Sequence, residues 1–260
     1  MDSLQPKLRV FAGPNGSGKS TVIDFIRSYK VNDKNVEFGY YINADDIAKA
    51  LKSKKGYSFK QYDFNAEPEE FNQIVLGSGL LNKEFSLDNL VQIYSIDNNT
   101  IHCHSTSQIE RLAQIIADFL REKLLKERKR FSFETVFSHS SKLDIMQDAV
   151  NAGYKVYLYF VCTESPEINK FRVEARTKKG GHNVPVNKIE TRYYRALSLL
   201  HDAAQLAYQA FFFDNSEEGG DFKMFAHFKI IAGKKVWDPI VEEDVPNWFK
   251  IYYSEKVSKS

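Results

Sequence analysis

Cysteine is scarce in this chain. Two residues in 260, Cys103 and Cys162, are too few and too far apart for a disulfide framework, which excludes the stapled mini-domain class and favours a reducing compartment. Charge of one sign is also missing. With 36 Lys plus Arg against 34 Asp plus Glu, the formal net charge is +2, so no overall field recommends nucleic acid or a membrane surface as the main partner. No apolar run approaches the roughly 20 residues of a membrane-spanning helix, and the first residues form no charged-then-apolar leader. A cytoplasmic protein without a membrane partner is the resulting expectation. Internal repeats and low-complexity tracts are absent as well, which excludes solenoids and arrays. What remains is a chain whose 43% hydrophobic content supports a buried core in one large domain or two small ones.

Five short apolar runs stand out, at 8–12, 40–42, 131–133, 155–162 and 211–213. None alternates with polar residues, as expected of strands covered on both faces. Helical periodicity separates them, at 20–29, 45–51, 109–126, 142–152, 166–177 and 186–210. This alternation predicts an α/β fold with a doubly wound, mostly parallel sheet. Residues 1–215 read as one domain. Residues 52–106, broken at Gly56 and again from Gly77 to Gly79, read as an insertion after the second strand, and 216–260 as a small C-terminal appendage packed on the same domain, with two short strands at 223–231 and 234–237.

The most specific signal follows the first apolar run. Gly13-Pro14-Asn15-Gly16-Ser17-Gly18-Lys19-Ser20 satisfies G-x-x-x-x-G-K-[ST], with a strand before it and an amphipathic segment after it, the context that a phosphate-binding P-loop requires. In such a loop glycines let backbone N–H groups turn inward around a β-phosphate, Lys19 reaches the β/γ oxygens, and Ser20 offers its hydroxyl to Mg²⁺. The following helix adds its positive N-terminal end. The predicted nucleotide-binding set is therefore Gly13, Pro14, Asn15, Gly16, Ser17, Gly18, Lys19, Ser20 and Thr21, with ATP, or GTP in its place, as ligand.

A P-loop also serves motors, GTPases and DNA-linked ATPases, so the other chemistry-bearing residues matter. Asp45 falls just beyond the second strand, where ligands bind in open α/β sheets, and so fits a proton-accepting role; capping the next helix is the competing reading for Asp45 and more so for Asp46. Glu134 ends the third run and Thr135 adjoins it, at another strand's carboxyl edge. Thr135, Ser138 or Ser140 could equally start the next helix. Arg172 and Arg176 are four apart on one helical face, and Lys178-Lys179-Gly180-Gly181 after them resembles the hinge of a lid; a solvated basic face is the alternative. Arg192 and Arg195 are read as partners for acids such as Glu190, and His182 as a loop-shaping residue. Asp214 after Phe211-Phe212-Phe213 is read as part of a turn rather than a metal-binding acid. His102-Cys103-His104 lacks a matching ligand cluster, and the Lys126–Arg130 run suits a helix C-terminus rather than nucleic acid.

Four segments in order resemble the zeta-toxin family of P-loop kinases and their non-toxin relatives: 13–21, 41–46, 131–135 and 172–195. The last carries Arg172, Arg176, Gly180-Gly181-His182, Val184-Pro185, Ile189, Arg192-Tyr193 and Arg195. The resemblance implies a kinase that moves the γ-phosphoryl of ATP, with Mg²⁺, onto a hydroxyl of a nucleotide sugar of the UDP-N-acetylglucosamine type. It implies Asp45 as base, Lys19, Arg172 and Arg176 on the phosphates, and Asn43, Glu134 and Thr135 as substrate-binding residues. A small antitoxin-like protein is an implied partner if the chain is the toxin half of a pair. An ATP-driven switch or DNA-associated ATPase is the reading from a different class.

Overall fold

The computed structural model describes residues 5–77, 86, 88, 92–105, 107–181, 184–217 and 221–258. His182 and Gly79 lie outside the described residues. The chain forms two compact units, one from residues 1–39 and 132–260 and the other from residues 40–131.

The first unit is built on a sheet in which Lys234–Trp237, Lys223–Ile231, Gln209–Asp214, Lys155–Cys162, Lys7–Ala12 and Phe131–Thr135 follow one another. Lys155–Cys162 pairs in parallel with Lys7–Ala12 on one side and Gln209–Asp214 on the other. The expected α/β fold with a mostly parallel central sheet is thereby met. The unalternating runs are explained by burial on both faces: Leu8, Val10, Phe11 and Ala12 are all inaccessible, and so are Leu158, Phe160, Val161 and Cys162. Register does the packing on one face, where Phe11 and Phe211 both stand opposite Tyr159 and stack on it at 4.6 and 4.8 Å. Burial there pushes the Tyr159 phenol up to about 12.

Residues 186–210 do not form one helix. Val186–Ser198 ends at Leu199, Leu200–Leu206 follows, and the chain becomes extended at Ala207 before the strand Gln209–Asp214. Ala196, Leu197, Leu200, Ala203 and Ala204 keep helical spacing across the break, so periodicity alone does not reveal it.

The C-terminal strands fall where the sequence places them, Lys223–Ile231 antiparallel to Gln209–Asp214 and Lys234–Trp237 beyond it. Helical turns from Asn247 follow, including a π-helical turn at Lys250–Ser254, and bury Trp248, Phe249 and Tyr253. Phe249 stacks on Tyr253 at 4.7 Å and meets Phe212 edge-on at 4.9 Å, so the appendage shares the core of this unit.

Lys235 is drawn into that packing. Its Nζ donates to Gln205 Oε1 at 2.7 Å and Tyr253 Oη at 3.4 Å and sits 4.8 Å from the Phe228 ring centre. Burial lowers its pKa from 10.5 to about 8. Above pH 8 the folded protein has shed a proton that the unfolded chain still binds, so this lysine makes stability rise with pH up to the unfolded value. Urea denaturation at pH 7, 8.5 and 10 should show that rise, and Lys235→Met should flatten it. An unchanged slope in the variant rejects the assignment.

In the second unit the strands Gly56–Ser58, Thr100–Cys103 and Tyr94–Asp97 form an antiparallel sheet with Thr100–Cys103 in the middle. Phe59, Phe64 and Phe71 surround Phe119 of the helix Ile109–Lys126 at 5.2–6.0 Å. Lys123 pairs with Glu70 at 2.7 Å, and Lys126 of the basic run reaches the same carboxylate at 3.3 Å. Residues 52–106 therefore do not close a core by themselves; Phe119 supplies its centre. His102 and Cys103 belong to the middle strand, and no His/Cys/Asp/Glu group able to hold a metal occurs among the described residues.

Candidate active site

The strand Lys7–Ala12 lies between Phe131–Thr135 and Lys155–Cys162. The chain thus continues to opposite sides of it, and a crevice opens at such a strand's carboxyl end. The loop 13–18 occupies that position, and the helix Lys19–Ser28 leaves from it. Gly18 is the N-cap, left-handed at φ 91°, with no side-chain cap and no acid in the first turn. The helix N-terminus therefore offers its amides and positive end to an anion.

Three neighbours hold the loop so closely that its glycines cannot be replaced. A Cβ on Gly13 would stand 2.0 Å from Val161 O, one on Gly16 2.7 Å from Asn169 O, and one on Gly18 2.0 Å from Asn215 Nδ2. Asn169, wholly buried, donates to Asn15 O at 2.7 Å and accepts from the Thr163 hydroxyl. Tyr193 donates to Thr163 O at 2.7 Å, and burial raises its phenol's pKa far above the ordinary range. Asn215 Nδ2 donates to Ser17 O at 2.9 Å. Gly13→Ala should cost about 2–5 kcal/mol in urea denaturation, since an unfavourable φ of 148° adds to a backbone collision. A loss below about 1 kcal/mol would show that the loop yields.

Lys19, 7% exposed, curls back over the loop, where its Nζ donates to Gly13 O at 2.9 Å and Pro14 O at 3.1 Å. Glu134 Oε1 lies 3.9 Å from the same ammonium. The structure thus brings Glu134 to the phosphate loop. Thr135 Oγ1 accepts from the Phe137 N–H at 3.1 Å, a local turn that leaves its hydroxyl proton to donate. The helix beyond begins at Ser141, and its N-cap Ser140 makes no side-chain cap.

Arg172 and Arg176 part company. Arg172 donates to Asn215 O at 2.7 Å and Glu217 O at 3.0 Å, bracing the turn that follows the strand Gln209–Asp214. Arg176 lies across Gly181, where a Cβ would meet its Cγ at 2.6 Å. With Phe171, Ala175, Lys179 and Gly181 the two arginines line an open hollow of about 440 Å³. Three cations around one hollow suit a polyanion. Gly180 adopts φ 85°, so the turn after the helix needs a glycine.

Glu190 is not the partner of Arg192 or Arg195; it pairs with Lys170 at 2.6 Å. Arg192 instead approaches Asn15 Oδ1 at 3.5 Å, and burial and the neighbouring Arg195 lower its pKa. Asn15, Asn169, Arg192 and Asn215 thus share the loop's surroundings. The sequence reading gives Arg192 a different role, as a partner for acids. Asn169 carried one faint signal, a polar residue inside an amphipathic helix.

Asn43 and Asp45 belong to the second unit. Asn43 is the N-cap of the helix Ala44–Lys54, and its Oδ1 accepts from the Asp45 N–H at 2.8 Å. The capping expected of Asp46 therefore falls to Asn43. Both aspartates sit exposed in the first turn.

A glycine-lined loop between a buried parallel strand and an uncapped helix, with a lysine held over it, defines a P-loop protein of the α/β class. The sequence model of the zeta-toxin family, described as "Zeta toxin", matches residues 94–217, and the chain belongs to this family. An uncharacterized protein of Haemophilus influenzae is 31% identical over 121 residues, 45% of this chain and 86% of that protein. Among solved structures, the crystal structure of AvrRxo1-ORF1:AvrRxo1-ORF2 with sulphate ions is similar with a TM-score of 0.50 at 18% identity, over 94% of this chain and 62% of that one. The AvrRxo1-ORF1:-ORF2 structure with ATP gives 0.52 at 18% identity, over 97% and 65%. At such identities the likeness is one of fold, and this chain spans less than two thirds of each of these two solved chains. The family match begins beyond the P-loop, so the loop is assigned on its own geometry. Among the described residues no helix is long and apolar enough to cross a membrane.

Proposed function

We propose that the protein is a kinase that transfers the γ-phosphoryl of ATP to a hydroxyl of a small molecule, with a nucleotide sugar of the UDP-N-acetylglucosamine type as acceptor. One observation carries the reading: Lys19 is held by loop carbonyls above an uncapped helix N-terminus, with the Glu134 carboxylate beside it. Family membership supports phosphotransfer, and ATP in a structure of similar fold supports the choice of nucleotide.

Phosphoryl transfer asks for alignment, a proton acceptor and positive charge rather than covalent help. In this reading the loop amides and Lys19 hold the β- and γ-phosphates. Arg176 neutralises charge on the migrating group, while Arg172 braces the turn at 215–217. Glu134 and Thr135 orient the acceptor together with Asn43. Asp45 takes the proton of the acceptor hydroxyl as its oxygen bonds to phosphorus and the bond to ADP breaks.

The residues fit Mg²⁺. Ser20 is exposed and presents a hydroxyl oxygen at the first turn, while no dedicated cage exists among the described residues. A single hydroxyl suits an ion that takes few protein ligands and keeps waters and phosphate oxygens. When bound it would screen phosphate charge.

Incubation with labelled ATP and a panel of nucleotide sugars tests the proposal. A phosphorylated sugar that requires both substrates is the expected product. ATP hydrolysis stimulated by DNA or protein, and indifferent to every hydroxyl acceptor, would replace the reading with that of a switch ATPase.

A further inference from the structure

The helical turns at the C-terminal end do more than close the core. We propose that they brace the phosphate loop, with Trp248 as a positioning residue that acts through Asp214 and Asn215. Its consequence for catalysis rests on the kinase reading, whereas the brace itself is a property of the unliganded protein.

The connection can be followed atom by atom. Trp248 is 2% exposed, with its ring 5.9 Å from Phe160 and 5.5 Å from Phe225. A buried indole N–H needs an acceptor, and Trp248 Nε1 donates to Asp214 Oδ1 at 2.9 Å. Asp214 is otherwise engaged with its own turn: Oδ1 accepts from the Ser216 hydroxyl at 2.9 Å and Oδ2 from the Ser216 N–H at 3.0 Å. Ser216 Oγ in turn accepts from the Glu164 N–H at 2.8 Å, fastening the turn to the end of the central strand. Between Asp214 and Ser216 stands Asn215, whose carbonyl accepts from Arg172 and whose amide donates to Ser17 O.

Asn215 is thus fixed from both sides, and it presses on the loop where there is no room to give. Gly18 has only a hydrogen where a Cβ would meet Asn215 Nδ2 at 2.0 Å. Gly18 is also the N-cap whose carbonyl accepts from the Val22 N–H at 3.2 Å. The placement of this turn therefore sets the start of the helix whose amides face the phosphates. Trp248 enters by a side-chain hydrogen bond, so its contribution can be removed while an aromatic ring is kept in the cluster.

Amide hydrogen exchange followed by NMR on the full unliganded chain tests the brace. The reporters are Ser17 and Val22, whose N–H groups bond to Pro14 O and Gly18 O. Trp248→Phe should speed exchange at both by about fivefold, the size expected for one hydrogen bond lost, while Val10 and Leu158 in the central strands keep their rates. Phe249→Leu trims the same aromatic cluster without touching Asp214 and should leave Ser17 and Val22 near their original rates. If Trp248→Phe does not fold, Asp214→Ala, which removes the acceptor of the Trp248 indole N–H together with the Ser216 contacts, serves in its place with the same expectation. Unchanged exchange at Ser17 and Val22, or an equal increase in Phe249→Leu, overturns the brace. Because no nucleotide is present, a failure of the kinase reading would show separately, as wild-type protein that binds no ATP and keeps its exchange pattern.

Discussion

Lys19→Ala should lower ATP affinity by about 10²-fold and phosphoryl transfer further still. The first figure follows from the type of contact: charge-assisted hydrogen bonds to phosphate oxygens contribute about 1.5–3 kcal/mol each, and about 1.4 kcal/mol is tenfold. The unliganded protein must be examined too, because the ammonium is already bonded to Gly13 O and Pro14 O and lies beside Glu134. Removing it leaves two loop carbonyls without that donor and takes a positive charge from beside the partly buried Glu134 carboxylate, so the melting temperature should also fall. The two effects separate if ATP binding is titrated calorimetrically below the variant's melting transition. Glu134→Gln, which removes the carboxylate's charge, should restore part of the stability of Lys19→Ala and none of its affinity. A Lys19→Ala protein that binds ATP as tightly as wild type would remove the loop from the site.

The parts of this molecule that a single sequence discloses are those fixed by local rules. Strand burial shows as unbroken apolar runs, so Leu8–Ala12 and Lys155–Cys162 were legible. The P-loop was legible because its residues follow one short fixed spacing and its glycines Gly13, Gly16 and Gly18 all take positive φ, 148°, 80° and 91°. Even the two C-terminal strands had readable bounds. What escaped depends on which chain segment arrives at a given place. Asn215 touches Ser17 across 198 positions and Asn169 touches Asn15 across 154, and no periodicity reports a pairing of that span. The same holds for Glu190, for which the sequence suggests Arg192 or Arg195 on its own helix although Lys170 of another helix takes it. Helix capping misled differently. Asp-Asp after Asn-Ala offers three residues able to cap, and backbone geometry decided for Asn43 at φ −134°, with the acids left in the first turn.

That outcome at Asn43 sharpens the largest expected effect. Asp45→Asn should keep ATP binding within about threefold and lose about 10²–10⁴-fold in transfer, the usual worth of a positioned general base. Had Asp45 been the cap, its removal would have acted on helix stability and the kinetics would have been uninformative. Asn43 makes the capping contact instead, and an acid in the first turn contributes only about 0.3–1 kcal/mol through the helix dipole. The variant should therefore melt within a few degrees of wild type. Asparagine keeps the size of the side chain and its hydrogen-bonding reach while losing the capacity to take a proton. Single-turnover transfer from labelled ATP, run beside an ATP titration and a thermal melt, separates the three contributions. Transfer at the wild-type rate would show that another group accepts the proton, and a collapse of ATP binding would show that Asp45 serves the nucleotide rather than the acceptor. Retained binding and stability with lost transfer is the one combination that assigns this carboxylate to the chemical step.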